Sequence, residues 1–303
     1  MRIGLIDVDS HNFPNIPLMK LSAYHKSIGD SVEWYDPMFG GHMDIVYMSK
    51  VFTFTPDYQY FVNADQVIKG GTGYHYPDGG SPLDEKVEHI YPDYSIYHDL
   101  LSKVKYTAYG FLTRGCPRDC NFCIVSNKEG RCSHKVADLS EFWSGQREIV
   151  LLDPNMFACK DWRELCQQLI ESKAWIDFSQ GCDIRLMTEE KANYLKQMRI
   201  KRIHFAWDNY QDKDTIIPKF KLLKEITGWD RRKMIVYVLT NFNTTHEQDL
   251  DRIYTLRDLG YCPDVRIFEK EKLPKGHITR KMQRWCNARA IFYREPNFEK
   301  YQK

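Results

Sequence analysis

The 303-residue sequence predicts an α/β protein, a small doubly wound, Rossmann-like domain followed by a partial (β/α)6 barrel of the TIM type. Three observations predict it. Short apolar runs alternate with stretches of helical spacing along most of the chain. The alternation has two phases, separated by a stretch with Pro, Gly and Tyr and no clear period. Polar residues recur where the apolar runs of the second phase stop, as they do where parallel strands present their C-terminal ends to a ligand.

In chain order, residues 2–8 form an apolar run closed by a turn. Residues 16–28 follow with helical spacing at Ile16, Leu18, Met19, Leu21, Tyr24 and Ile28, and Gly29-Asp30 ends that helix. Strands are expected at 31–35, 44–52 and 66–69, which places the first domain at 1–75 and a linker at 76–104. From 105 to 303 strands are expected at 106–113, 148–153, 175–180, 202–207, 234–240 and 265–268. Helices are expected at 161–173, 188–198, 213–227, 246–259 and 279–290, with a short one at 137–144.

No apolar run reaches the roughly 18–20 residues needed to span a bilayer, which argues against a membrane partner. The opening MRIGLIDVDSHN lacks the basic-then-apolar pattern of a secretory signal, so the cytoplasm is the expected location. The net charge of +2 hides an asymmetry: residues 1–100 carry six Lys/Arg against 14 Asp/Glu, whereas residues 265–303 carry 11 against four. The basic C-terminal region suits phosphate or nucleic acid, or else is a solvated face that balances the acidic start.

The cysteines carry the chemistry. Nine is an odd number without the dense spacing of a disulfide scaffold, and in a reducing compartment such thiols are metal ligands, catalytic groups or small core residues. Cys159, Cys166, Cys182, Cys262 and Cys286 stand singly and read as core. Cys116, Cys120 and Cys123 are spaced C-x3-C-x2-C directly after the strand at 106–113. Thiolates suit zinc or iron–sulfur. A closed zinc site wants a fourth ligand, for which Cys132 or His134 is at hand; a three-cysteine cluster leaves one iron open.

The run Arg114-Gly115-Cys116-Pro117-Arg118-Asp119-Cys120-Asn121-Phe122-Cys123 resembles the cluster loop of the radical S-adenosylmethionine (SAM) superfamily. In that family C-x3-C-x-aromatic-C follows the first barrel strand, and Phe122 supplies the aromatic. The resemblance implies a [4Fe–4S] cluster on Cys116, Cys120 and Cys123, with SAM chelating the fourth iron. It further implies a one-electron reductant such as flavodoxin or ferredoxin, and SAM cleavage to a 5′-deoxyadenosyl radical that takes hydrogen from an unidentified substrate. By the same resemblance Phe122, Asp153, Asn155, Asp183, Arg185, Asp208 and Thr240 are the SAM-binding candidates. Cys132, close to the cluster loop, is a candidate hydrogen donor. Asp, Asn and Thr are also favoured helix caps, so each strand-end residue has a structural reading beside the functional one.

The stretch YVLTNFNTTHEQDLDRIYTLRDLG is similar to a segment of one radical SAM subgroup that has glycine where Asn241 stands. Thr244 or Thr245 with Glu247 or Gln248 reads as a capping box. In the C-terminal stretch HITRKMQRWCNAR, Arg284, Trp285 and Asn287 resemble residues that close the barrel. At the start, Asp9-Ser10-His11-Asn12-Phe13-Pro14 resembles the D-x-H-x-x-G motif of cobalamin-binding domains without its glycine, and Lys69-Gly70-Gly71-Thr72-Gly73 resembles a nucleotide-loop remnant. A degenerate domain in which His11 caps or packs is preferred, so cobalamin is not favoured. Two alternative functions stand beside the main one: a cobalamin-dependent radical SAM methyltransferase, and a zinc-stabilised nucleic-acid-binding module that uses the basic C-terminal region.

Overall fold

A computed structural model of the chain describes residues 1–10 and 13–302. The chain packs as two compact units, Met1–Val150 and Leu151–Lys303, each a mixed α/β structure with parallel strands.

The first unit is built on a four-stranded sheet in the order β2-β1-β3-β4. Strand β1 (Arg2–Asp7) leads through helix α1 (Ile16–Ser27) to β2 (Ser31–Trp34), and β3 (Met43–Ser49) and β4 (Ala64–Gly70) follow on the other side. All pairings are parallel, with Ile3 opposite both Val32 and Ile45. Apolar residues cover both faces of β1, as a central parallel strand requires. Ile3 and Leu5 pack with Leu18 and Leu21 of α1, and Ile6 packs with Tyr35, Met43, Val46 and Met48. Helix α1 starts where Asn15 accepts the Leu18 amide (3.2 Å) and Pro17 presets the first turn.

Residues 76–104 have no period in sequence because aromatic side chains, and no repeating element, hold them. They contain helix α2 (Glu85–Glu88) and 3₁₀ turns at Tyr94–Tyr97 and Ser102–Lys105, with Val87, Tyr94, Tyr97 and Val104 buried. The Trp34 indole donates to the Ile96 carbonyl (2.8 Å). The unit continues with β5 (Thr107–Gly110), β6 (Thr113–Arg114), helix α3 (Val125–Glu129) and β7 (His134–Lys135), then enters β8 (Glu148–Leu151). The expected strand at 106–113 is thus broken after Gly110, and the expected helix at 137–144 is a 3₁₀ turn at Leu139–Glu141. The α3 helix and the β6–β7 pair went unforeseen, being too short to show a period.

In the second unit β9 (Trp175–Cys182), β10 (Arg199–Ala206), β11 (Met234–Thr240) and β12 (Cys262–Ile267) run parallel in sequence order. Helices α4 (Trp162–Ser172), α5 (Glu189–Gln197), α6 (Lys213–Thr227) and α7 (His246–Asp258) alternate with them as expected, and α8 (Ile278–Asn287), α9 (Arg289–Arg294) and α10 (Phe298–Gln302) follow. Local chemistry sets the helix ends. Thr188 accepts the Lys191 amide, Thr245 and Gln248 form the expected capping box of α7, and Gly228 (φ 62°) closes α6 in the left-handed region.

Strand β12 borders β11 on one side, and its outer edge is sealed by α8. Asn287 Oδ1 accepts the Val265 amide (2.8 Å) and Gln283 donates to the Val265 carbonyl (2.9 Å), so the open ladder groups are met. Trp285, fully buried, packs on Phe292 and Phe298. No helix among the described residues is long and apolar enough to cross a membrane.

Candidate functional site

The cysteine loop is clamped at its base. Strand β6 pairs antiparallel with β7, with Arg114 opposite His134. Arg114 bonds Glu129 (2.9 Å), the Gly115 amide donates to the same carboxylate (3.3 Å), and the Cys116 amide donates to the Gly130 carbonyl (3.1 Å). Gly115 has φ +80°, and a Cβ there would collide with the carbonyl oxygen of Cys132. Only glycine allows the two chain segments to cross this closely.

Between these clamps the loop carries Cys116, Cys120 and Cys123, all partly exposed. Cys123 closes a turn onto the Cys120 carbonyl (2.9 Å), and the Arg118 amide points at Cys116 Sγ (3.5 Å). Asp119 ties the loop down by accepting from Ser126 (3.1 Å) and pairing with Arg131 (2.9 Å). Cys132 is exposed and lies where β7 begins. Among the described residues no three His, Cys, Asp or Glu side chains converge as a single metal ion requires. An iron–sulfur cubane makes a different demand, since each thiolate binds its own iron. Three soft donors on one clamped loop, with an amide directed at a sulfur, fit that group.

The five solitary cysteines are buried, as expected. Burial pushes the Cys166 thiol up to about 12 and raises those of Cys182, Cys262 and Cys286, so they stay protonated and inert.

The ends of β9, β10 and β11 carry the second set of candidates. Asp183 accepts the Arg185 amide (3.1 Å) and binds its guanidinium (2.7 Å), which also reaches Asp212 (3.1 Å). The Arg185 fork is therefore shared between two carboxylates. Thr240 is buried and donates to the Arg266 carbonyl (3.2 Å), a bond internal to the β11–β12 edge. Asp153 and Asn155 are buried beyond β8. Asp208 is half-buried, and desolvation lifts its carboxyl to about 6 against the pull of Arg252 and Arg185.

The residue that sequence reasoning missed is Arg252. Its side chain is wholly buried and donates to the carbonyls of Trp207 (2.5 Å), Asp208 (3.2 Å) and Leu239 (2.7 Å). It also binds Asp249 (2.5 Å) and Thr244 (3.2 Å). One guanidinium thus fastens the ends of β10 and β11 to the first turns of α7. The signal available was an arginine at a helix position that otherwise reads as apolar. Asn241, standing where the similar family segment has glycine, adopts φ +61° and donates to the Phe268 carbonyl (2.9 Å). Asparagine is among the few side chains that tolerate this backbone.

In the first unit the polar end of β1 lies at the switch point between β2 and β3. The buried Asp9 carboxylate accepts the amides of Val51 and Phe52 (2.7 and 2.8 Å). The Tyr97 hydroxyl donates to Asp7 (2.5 Å) and accepts from the Asn15 amide (3.0 Å), and Asn15 donates to Ser10 and Ser49. Gly71 (φ +93°) and Gly73 pack on Lys50, whose carbonyl accepts the Gly73 amide (2.9 Å), so backbone packing accounts for this glycine run. His11, the cobalt-ligand candidate, lies outside the described residues.

No protein-family model matches the chain, and no curated protein matches it. Among solved structures it is similar to the crystal structure of Streptococcus suis SuiB bound to precursor peptide SuiA, with a TM-score of 0.41 and 12% identity. That likeness covers 70% of this chain and 52% of the other, so the chain spans about half the length of the structure it matches. So distant a likeness assigns no function.

Proposed function

We propose that this chain is a radical SAM enzyme acting in the cytoplasm on an unidentified substrate, with electrons from a flavodoxin- or ferredoxin-like donor. The observation that carries this reading is the clamped loop bearing Cys116, Cys120 and Cys123. In this reading residues 1–75 form a truncated Rossmann-like domain, 76–104 a linker and 105–303 a partial barrel. When bound, the cluster and SAM supply reductive cleavage to a 5′-deoxyadenosyl radical.

The chain's own residues supply ligation, orientation and exclusion of water. Cys116, Cys120 and Cys123 hold the irons, and the Arg118 amide stabilises charge on the Cys116 sulfur. Phe122, Asp153, Asn155, Asp183, Arg185, Asp208 and Thr240 bind SAM, with Arg252 holding the strand ends that carry Asp208 and Thr240 in register. Asp208, with a carboxyl near 6, accepts a cationic group above that pH. Cys132 would deliver a hydrogen atom to a substrate radical, the thiyl radical left on it being restored by one electron from the same donor and a proton from solvent.

The test is anaerobic reconstitution with iron and sulfide, then dithionite and SAM, with 5′-deoxyadenosine measured by mass spectrometry. Nucleoside formation that disappears in the Cys116→Ala/Cys120→Ala/Cys123→Ala variant is the expected result. A protein that takes up zinc and rejects iron overturns the reading.

A further inference from the structure

We propose that the outer edge of β4 pairs antiparallel with β4 of a second copy of this chain, centred on Val67, so that two four-stranded sheets join edge to edge. The proposal does not depend on the chemistry assigned to the cysteine loop.

The first observation is the open edge. Strand β4 pairs with β3 on one side, and no other described strand borders it. Met43, in register with Ala64, donates its amide to the Asn63 carbonyl (3.0 Å). Backbone groups alternate in direction along a strand, so Asn63, Asp65 and Val67 turn theirs to β3, and Ala64, Gln66 and Ile68 turn theirs outward. Asp65, Gln66, Val67 and Lys69 are exposed, Val67 at 39%. Such an edge is a template for another strand.

The second observation selects a second copy as the occupant. Outward-facing residues form the hydrogen-bonded pairs of an antiparallel ladder, and a two-fold axis at Val67 sets Gln66 against the second copy's Ile68 on both sides of the axis. The same axis sets Val67 against Val67, and Asp65 against the second copy's Lys69 at both ends. These are the non-hydrogen-bonded positions, where facing side chains lie closer. Opposite charges across a ladder stabilise it and like charges destabilise it. Moving the axis two residues toward the start of β4 faces Asp65 with itself, and two residues the other way faces Lys69 with itself. A lysine on an edge ordinarily deters pairing. Here the strand carries the complementary acid at the symmetry-related position, which a strand of unrelated sequence lacks.

The third observation is that both charges keep their present partners in the pair. Asp65 Oδ1 bonds His42 (3.0 Å), which leaves Oδ2 for the second copy. Lys69 donates to Asp57 (2.8 Å) beside the Tyr74 ring, and an ammonium has three protons to give. The new contact therefore closes one donor–acceptor chain from His42 through Asp65 to the second copy's Lys69 and Asp57. Side chains already held in place lower the ordering cost of binding.

The experiment follows the full chain by sedimentation velocity at rising concentration, where the mass should move from the 36.0 kDa of one chain toward twice that value. Asp65→Lys and Lys69→Glu should each weaken the dimer by about tenfold or more, because each sets like charges opposite one another at both ends. Mixed in equal amounts, the two variants should regain the dimer, since each then complements the other; that recovery also shows that both are folded. Gln66→Pro removes an outward amide that an edge strand can spare, and should weaken the dimer as well. A chain that stays monomeric at its highest soluble concentration overturns the proposal. So does a dimer indifferent to all three substitutions, and so do charge variants that dissociate without recovering on mixing, which would break the two-fold register.

Discussion

Two parallel sheets in this molecule end in similar residues and use them differently. At the end of β1, Asp7, Asp9 and Asn15 are engaged by neighbouring backbone amides and hydroxyls. At the ends of β9 and β10, Asp183 and Arg185 pair with each other, while Asp208 stays half-buried with its proton held to about pH 6. In the first sheet the polar end is loop-building material. In the second, a buried arginine takes over the backbone carbonyls, and desolvation raises the pKa of the carboxyl beside it. A carboxylate at a strand end thus becomes a functional candidate only once its competing partners are counted.

Four substitutions sharpen or break this contrast. The largest effect belongs to Arg252→Met, which strands the Asp249 carboxylate and the carbonyls of Trp207 and Leu239. Urea denaturation should show a loss of about 3–5 kcal/mol. A loss below about 1 kcal/mol would mean that the hub does not hold the second sheet's ends.

Asp9→Ala comes next. It leaves the buried Val51 and Phe52 amides without an acceptor and should cost about 1–3 kcal/mol. The yield of 5′-deoxyadenosine per folded molecule should not change. An unaltered stability with a lost yield would move the active chemistry toward the first sheet.

Asp208→Asn should do the reverse and stabilise. The folded-state pKa of about 6 lies above the ordinary 3.8, so folding favours the protonated acid. The associated stability is full below about pH 4 and is lost as pH rises through 6. The variant should therefore gain up to about 2 kcal/mol at neutral pH and little at pH 4, while binding SAM more weakly. Thermal melts at the two pH values decide the first point and isothermal titration calorimetry the second. An equal shift at both pH values would show that Asp208 feels no desolvation.

The smallest effect is that of Asn241→Gly. Glycine accepts φ +61° at least as readily, and only the bond to the Phe268 carbonyl is lost, so stability should change by less than about 1 kcal/mol. A larger loss would assign the Asn241 side chain a role beyond the turn.

The legible parts of the fold were those with long periods. Helices at 16–27, 213–227 and 246–258 and the strand at 234–240 match their expected bounds within two residues, and of the capping-box candidates Thr244 or Thr245 with Glu247 or Gln248 the structure uses Thr245 and Gln248. The β6–β7 clamp was illegible because each strand has two residues, too few for any alternation. Arg252 was missed for another reason: an arginine at an apolar helix position shows what it binds only once carbonyls from two distant strands are found around it.

The sequence by itself determined the α/β class, the order of the longer strands and helices, and the three-cysteine spacing that nominates a cluster. Those follow from side-chain periodicity and from donor chemistry, which are local. Only the tertiary structure decided which strand-end residues are taken up by neighbours, that Gly115 permits the chain crossing beneath the cysteine loop, and that β4 pairs with β3 at the edge of the first sheet. Each of these depends on groups distant in the chain coming within hydrogen-bonding or van der Waals reach, and no local pattern encodes that proximity.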